Sequence, residues 1–244
     1  MKNLHIENIE IPIKTDNIKL KGSIYFYSKT QLKAPWVIIL AGFLAHRGID
    51  FEKYFIKRFA DEGFYVLSYD YRGHGENIKI SNKFDLYKMT PNIFSDIHDV
   101  ISWVLETQYN RISKENIILF GRSYGGAIVL THGFIDKRVK YLIALCARYD
   151  YATVQIKIPD ALKVGMSKDI SPKYFLTKTP LNNERILIAH CKDDNRIPYE
   201  NVLEIKKKLG LKDENVIIYE NGGHLFEDHK DDLFNHIKEF LKKI

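Results

Sequence analysis

A serine set among closely spaced glycines is the residue of this sequence best suited to catalysis. Residues 121–126 read GRSYGG, with Ser123 at the third position. An apolar, strand-like run (residues 116–120) precedes this motif, and a helix-like segment (residues 124–135) follows it. A serine on so sharp a turn presents its hydroxyl at a helix N-terminus, and the glycines leave room where side chains would collide with backbone. We therefore predict that Ser123 is a nucleophile for an ester-like carbonyl.

A serine hydroxyl needs a neighbouring base, and the histidines offer nine candidates. His224 is favoured because it follows the glycine-rich stretch 219–223 (YENGG), between the last predicted strand and the last predicted helix. His46 and His74 fall on loops that could line the site, and His190 could hold the loop of the acid. Strand or helix interiors are predicted for His5, His98, His132, His229 and His236.

An acid should orient the base and stabilise its charged form. Asp194 is our choice, in residues 190–198 (HCKDDNRIP), a loop after a predicted strand. Asp193 is the near alternative and Asp150, after the preceding strand, the distant one. In this kind of active site the acid lies between serine and histidine in chain order, which all three satisfy.

The elements that must position these residues alternate between strand and helix patterns. The alternation predicts an α/β fold with a mostly parallel sheet of about eight strands, helices on both faces and an antiparallel N-terminal edge. Strands are predicted at residues 6–13, 18–27, 36–40, 65–69, 116–120, 141–145, 185–190 and 216–219, and helices at 51–62, 92–109, 124–135, 199–209 and 228–243. We predict a single domain over residues 1–244.

Residues 148–184 interrupt this rhythm and contain three prolines and a glycine. A structureless loop that long is unusual in a compact domain, so we predict a small lid or cap. Its apolar residues could line an acyl pocket or pack on the body of the domain: Ile156, Ile158, Leu162, Val164, Met166, Tyr174, Phe175 and Leu176.

Composition sets further limits. The net charge is +6, but the lysines are dispersed, which favours a solvated surface over nucleic-acid binding. The start of the chain carries acids and no apolar core typical of a signal peptide, and no run suits a membrane helix, so a cytoplasmic location is expected. Cys146 and Cys191 are expected to be free buried thiols, and neither lies in a metal-binding pattern.

The motifs together resemble the α/β-hydrolase superfamily, over nearly the whole chain. Residues 70–75 (DYRGHG) match its D-x-R-G-x-G loop, residues 121–126 its G-x-S-x-G-G elbow, and residues 194–198 (DNRIP) its D-x-x-V-P loop. The last match favours Asp194 over Asp193. The likeness is greatest to small carboxylesterases and to feruloyl-esterase-like and monoacylglycerol-lipase-like members.

The resemblance implies a Ser-His-Asp triad of Ser123, His224 and Asp194, with no metal or organic cofactor. It also implies an oxyanion hole formed by the backbone N–H groups of Phe43 and Tyr124, although Ala41 replaces the usual histidine of the first loop. The expected substrate is a small-molecule ester with a short- to medium-chain or aromatic acyl group. A thioesterase, a peptidase-like hydrolase of the same fold and a non-catalytic binding protein are the alternatives.

Overall fold

The computed structural model describes residues 3–77, 83–154 and 160–242. The strands are β1 (Leu4–Ile13), β2 (Ile18–Tyr27), β3 (Ala34–Leu40), β4 (Tyr65–Tyr69), β5 (Ile112–Arg122), β6 (Val139–Leu145), β7 (Ile186–Cys191) and β8 (Val216–Tyr219). The helices are α1 (Asp50–Asp61), α2 (Lys83–Ser95), α3 (Ile97–Thr107), α4 (Tyr124–Val129), α5 (His132–Ile135), α6 (Asp160–Ile170), α7 (Pro172–Phe175), α8 (Asn182–Arg185), α9 (Glu200–Leu209) and α10 (Lys230–Leu241).

The eight strands form one sheet in the order β1-β2-β4-β3-β5-β6-β7-β8. The pairs β1–β2 and β2–β4 are antiparallel, and every pair from β4 to β8 is parallel. The predicted sheet with its antiparallel N-terminal edge is therefore confirmed. The parallel strands end at the same edge, so the loops after β3, β5, β6, β7 and β8 meet there.

Both faces of the sheet are buried under helices. Successive side chains of a strand point to opposite faces of the sheet. In β3, Trp36, Ile38 and Leu40 pack in one apolar cluster, and Val37 and Ile39 pack in the other. The first cluster includes the buried faces of α3, α4 and α9, and the second those of α1 and α10. Strands that are buried on both faces consist of continuous apolar runs, which explains why these strands could be predicted from the sequence.

Two of the predicted helices are each divided in the structure. The helix predicted over residues 92–109 begins earlier, as α2, and is followed by α3 after a break at Asp96. Pro91 lies inside α2, whereas the sequence pattern predicts that the helix starts after it. The helix predicted over residues 124–135 ends as α4 and resumes as α5. At the junction, the Thr131 hydroxyl donates to the carbonyl of Ala127 (2.8 Å), and the Thr131 backbone departs from helical angles.

The insertion between β6 and β7 contains short helices. A 3₁₀ turn at Tyr151–Thr153 is followed by α6, α7 and α8. Of the apolar residues singled out there, Met166 and Leu176 are buried, and Tyr174 is half exposed. The Phe175 ring lies against His132, with ring centroids 5.2 Å apart. Ile156 and Ile158, and the side chains of Leu162 and Val164, lie outside the described residues.

Close packing at the turn after β5 leads to a first prediction. A Cβ added to Gly125 would overlap the backbone carbonyl of Leu40 in β3, which cannot move aside without disturbing the sheet. Gly125→Ala should lower the free energy of unfolding by about 3 kcal/mol, as overpacking does in rigid sites. Urea denaturation measures this loss.

Gly165→Ala is the matched control, because the residue is in helix α6 and no atom of the described residues lies within 4 Å of a Cβ there. Alanine is the better helix former, so this variant should gain up to about 1 kcal/mol. Equal stability of the two variants would contradict the packing described for Gly125.

Candidate active site

Ser123 lies between the end of β5 and the start of α4. Its backbone φ is +58°, a sparsely populated region for a residue with a side chain. The Ser123 backbone N–H donates to the carbonyl of Leu145 in β6 (2.8 Å), which fixes the turn to the neighbouring strand. A Cβ on Gly121 would overlap the backbone of Gly125, so the turn can close only because both positions are glycine. The predicted elbow geometry is present.

His224 and Asp194 are joined by a hydrogen bond of 2.7 Å between His224 Nδ1 and Asp194 Oδ2. Both side chains are buried. The other oxygen, Asp194 Oδ1, accepts the backbone N–H groups of Arg196 (2.8 Å) and Ile197 (3.0 Å). The carboxylate therefore has a fixed orientation, and it leaves His224 Nε2 as the ring nitrogen able to act elsewhere.

His190 supports the Asp194 loop from below. Its Nε2 lies 2.9 Å from the carbonyl oxygen of Ile197 and 3.3 Å from Asp194 Oδ2. Burial raises the pKa of Asp194, but the hydrogen bonds from His190, His224 and the Ile197 N–H outweigh it and hold the pKa well below its usual range. Asp194 is therefore a carboxylate at neutral pH.

The other two candidate acids have different partners. Asp193 accepts the backbone N–H groups of Gly222 (3.2 Å) and Gly223 (2.8 Å), so it ties down the loop that carries His224. Asp150 bonds the Lys173 ammonium (2.5 Å) and the Ala152 N–H (2.9 Å), within the insertion. Only Asp194, of these three, contacts the imidazole.

A cavity of about 740 Å³ brings the predicted catalytic and oxyanion residues together. Ser123, His224, Phe43 and Tyr124 all line it. Burial lowers the pKa of His224, and the Asp194 carboxylate opposes this shift without cancelling it. The imidazole is therefore neutral at pH 7, the form that can accept a proton. The remaining walls are largely apolar or aromatic, including Ile49, Tyr87, Tyr151, Val154, Met166, Ile170 and Ile197.

The loop after β3 is braced by side chains that sequence reasoning missed. The Tyr71 hydroxyl donates to the carbonyl of Ala41 (2.9 Å), and the Arg122 guanidinium would lie 3.1 Å from a Cβ on Gly42. Arg122 is paired with Glu52 at 3.2 Å, and both are buried. Burial raises the pKa of Glu52, while Arg122 opposes that rise. Arg122, the central residue of the motif GRS, could have suggested a buried cation, but its partner Glu52 lies 70 residues away in the sequence.

The D-x-R-G-x-G loop, residues 70–75, stabilises neighbouring segments and does not line the cavity. Asp70 accepts the backbone N–H groups of Arg47 (2.9 Å) and Glu76 (3.0 Å). Arg72 pairs with Asp96 between α2 and α3, through Nε and Nη2 at 2.6 Å each. His74 is buried behind Phe43, with ring centroids 5.8 Å apart, and His46 borders a separate surface groove.

A metal ion does not suit these side chains. Among the described residues, one group of three possible ligands was found, in which atoms of Cys146, Asp194 and His224 lie within 4.8 Å of one another. Asp194 and His224 already bond each other, and the buried Cys146 thiol donates to the backbone carbonyl of His224 (3.7 Å), so these groups have partners within the protein. Cys146 and Cys191 are both free and buried, as predicted.

A model of the prolyl oligopeptidase family matches residues 50–244, which is most of the chain and includes Ser123, Asp194 and His224. The chain belongs to the prolyl oligopeptidase family. The predicted place among the α/β-hydrolase serine hydrolases is thereby confirmed. The α/β-hydrolase architecture of this family member is also that of many solved structures.

Two of those structures show how far the likeness extends. Est1E from Butyrivibrio proteoclasticus, solved with ferulic acid bound, has a TM-score of 0.80 at 20% identity, over 96% of this chain and 98% of that one. The Pyrococcus furiosus esterase Pf2001 has a TM-score of 0.70 at 20% identity, over 98% and 93% of the two chains. At such identities the likeness establishes the fold.

Curated relatives match a smaller part of the chain than these structures do. An uncharacterised 31.7 kDa protein of Escherichia coli is 30% identical over 120 residues, 49% of this chain and 40% of its own. The chain spans less than half the length of the curated relatives it matches. Among the described residues, no helix has the length and apolarity needed to cross a membrane.

The buried Arg122–Glu52 pair leads to a second prediction. Glu52→Gln leaves the Arg122 cation buried without its counter-charge, which should lower the free energy of unfolding by about 3 kcal/mol. Glu62→Gln is the control, because Glu62 pairs with Lys238 at 2.7 Å on the surface and should cost less than about 1 kcal/mol. Chemical denaturation compares the two. A loss in Glu52→Gln no larger than that in Glu62→Gln would show that the buried pair contributes little.

Proposed function

We propose that this protein hydrolyses carboxylic esters through an acyl-enzyme formed on Ser123. The observation that carries the proposal is the shared cavity, onto which Ser123 and the Asp194-bonded His224 both open. His224 Nε2 takes the proton of the Ser123 hydroxyl as the oxygen attacks the acyl carbon. It then returns that proton to the leaving oxygen, and in the second half it activates a water that releases the acid.

The developing negative charge on the carbonyl oxygen needs donors already in place. We assign this part to the backbone N–H groups of Phe43 and Tyr124. Tyr124 begins helix α4, whose dipole favours an anion at that end. Phe43 follows β3, and its ring packs against Tyr124 at 5.4 Å between centroids, which keeps the two loops together. Donors fixed before the reaction are the most effective kind.

The acyl group is short to medium in length, or aromatic. The cavity volume of about 740 Å³ is within the range of small-molecule sites. Phe43 stacks on Tyr87 at 6.1 Å, so one wall offers an aromatic surface. Ferulic acid, bound in Est1E, is itself an aromatic acid. We further propose that residues 1–244 form a single domain. Within it, residues 148–184 serve as a small lid, since Val154, Met166 and Ile170 of this insertion line the cavity.

The first test removes the nucleophile. Ser123→Ala should reduce kcat for 4-nitrophenyl esters by a factor on the order of 10⁶, as loss of a triad serine does elsewhere. Ser95→Ala, at a half-buried serine that ends α2 and does not line the cavity, is the control and should keep full activity. Retention of more than a few per cent of activity in Ser123→Ala would exclude the assignment.

A second test uses pH. Because burial lowers the pKa of His224, the neutral base should persist below pH 6.5, the ordinary histidine value. Protonation at lower pH then removes the base, so kcat/KM should fall as pH drops through a value below 6.5. Initial rates from pH 4 to 9 measure this. An acid limb above pH 6.5, or a flat profile down to pH 4, would contradict the role given to His224.

Because the chain belongs to the prolyl oligopeptidase family, peptide cleavage is the reaction with which ester hydrolysis must be compared. A proline 4-nitroanilide and a 4-nitrophenyl ester panel of increasing acyl length compare the two classes at equal enzyme concentration. We expect esters to be turned over and to show a preference within the panel. Faster turnover of the proline anilide than of every ester would replace ester hydrolysis with peptidase activity.

A further inference from the structure

The charges around the cavity are all of one sign. Among the described residues that line it, the ionisable cations are Arg122, Arg148 and Arg196, and none is an aspartate or glutamate. Arg122 is already paired with Glu52, so its charge is balanced within the fold. Arg148 and Arg196 therefore remain as the cationic side chains of the wall that a substrate can meet.

Arg148 follows strand β6 and is half-buried. Its two terminal nitrogens donate to neutral acceptors, the Thr153 hydroxyl and the backbone carbonyl of Arg196, each at 3.3 Å. These bonds orient the guanidinium and bring the two arginine residues together without neutralising either charge. A planar guanidinium with donors remaining is suited to bidentate binding of a carboxylate.

Arg196 lies two residues after Asp194, on the loop that carries the acid. Burial is the main cause of the lowered pKa of His224, and the positive charges of Arg122 and Arg196 add to it. Arg196 therefore lies near His224, on the wall of the cavity that Ser123 also lines. Arg196 also borders a smaller polar cavity, whose other charged residues are Asp193, Glu227 and Asp228.

Three of the neighbouring carboxylates have other partners. Asp150 bonds Lys173, Asp193 bonds two glycine N–H groups, and Asp194 bonds His224. Within the part of the chain that the structure describes, no carboxylate forms an ion pair within 4.0 Å of Arg148 or Arg196. Arg148 is half-buried and Arg196 is exposed to solvent. Two adjacent cations on one cavity wall, without an ion-pair partner among the described residues, favour an anionic ligand there.

We propose that Arg148 and Arg196 form a carboxylate-binding subsite, and that the preferred substrates are esters whose acyl chain ends in a carboxylate. This rests on the proposed ester hydrolysis at Ser123. The aliphatic side chains of Val154, Met166 and Ile170 line the same cavity and suit the methylene chain between ester and carboxylate. The subsite acts through binding of the acyl chain and takes no part in the bond-breaking steps.

The experiment measures kcat/KM for two matched ester series. One contains mono-4-nitrophenyl esters of adipic, pimelic and suberic acid, and the other the same esters with a terminal carboxamide in place of the carboxylate. The ratio of the two values at each chain length reports the contribution of the charge. We expect a ratio well above one at one chain length, and a fall of about 30-fold in Arg148→Gln/Arg196→Gln, since hydrogen bonds to charged groups are the strong ones.

Lys207→Gln is the control, because it removes one positive charge from an exposed position on α9, away from the cavity lining, and should leave the ratio unchanged. A further variant, Arg148→Glu, should abolish the preference for a terminal carboxylate, because the new glutamate neutralises the charge of Arg196. Circular dichroism of each variant confirms folding, and the carboxamide esters report the chemistry separately.

The two proposals fail in different ways. If wild-type protein hydrolyses the carboxamide esters but shows a ratio near one at every length, or if the double variant keeps the wild-type ratio, the carboxylate subsite is wrong and ester hydrolysis stands. If the wild-type protein hydrolyses neither series, ester hydrolysis falls and the subsite falls with it.

Discussion

The hydrogen bond between Asp194 and His224 is the interaction on which the site depends. It joins the loop after β7 to the loop after β8 in a place without solvent access to the carboxylate. A buried carboxylate is costly unless its oxygens are fully bonded, and here the two backbone N–H groups, His190 and His224 supply the donors. The same contacts that keep Asp194 charged therefore also fix the imidazole on which the proposed chemistry relies.

The sheet makes that contact possible. Parallel strands in the order β3-β5-β6-β7-β8 place their carboxyl ends along one edge, so loops distant in sequence become neighbours. The first loop residue after a strand also bonds the neighbouring strand: Ser123 N–H donates to the carbonyl of Leu145 in β6, and Cys146 N–H to that of Ala189 in β7, both at 2.8 Å. The strained backbone at Ser123 persists because rigid neighbours hold it on both sides.

The buried strands, the elbow at Ser123 and the choice of Asp194 could be predicted from the sequence because each depends on residues close together in the chain. The buried strands appear as apolar runs, and the elbow appears because Gly121 and Gly125 are required by close backbone contact. The sequence pattern D-x-x-V-P distinguished Asp194 from Asp193, and the structure shows the physical difference: one carboxylate faces the imidazole, and the other holds the glycine loop. The divided helices were missed because hydrophobic periodicity does not record the break at Asp96 or the hydrogen bond from the Thr131 hydroxyl to the carbonyl of Ala127.

Long-range pairs were beyond sequence reasoning. Nothing near Arg122 indicates Glu52 as its partner, and nothing near Arg148 indicates that its guanidinium reaches the carbonyl of Arg196. These contacts are set by which loops the sheet brings together, so they emerge only from the fold. They also separate the three arginines of the cavity into one that is paired within the fold and two for which we propose an anionic ligand.

The most direct test of the central claim is reaction with a fluorophosphonate, which modifies a serine only when a base and an oxyanion hole activate it. After labelling and digestion, mass spectrometry should find the phosphonyl group on Ser123. The label should be almost absent from His224→Ala and greatly slowed in Asp194→Asn. Labelling of another serine, or equal labelling of the wild-type protein and His224→Ala, would contradict the assignment of Ser123, His224 and Asp194 as one catalytic unit.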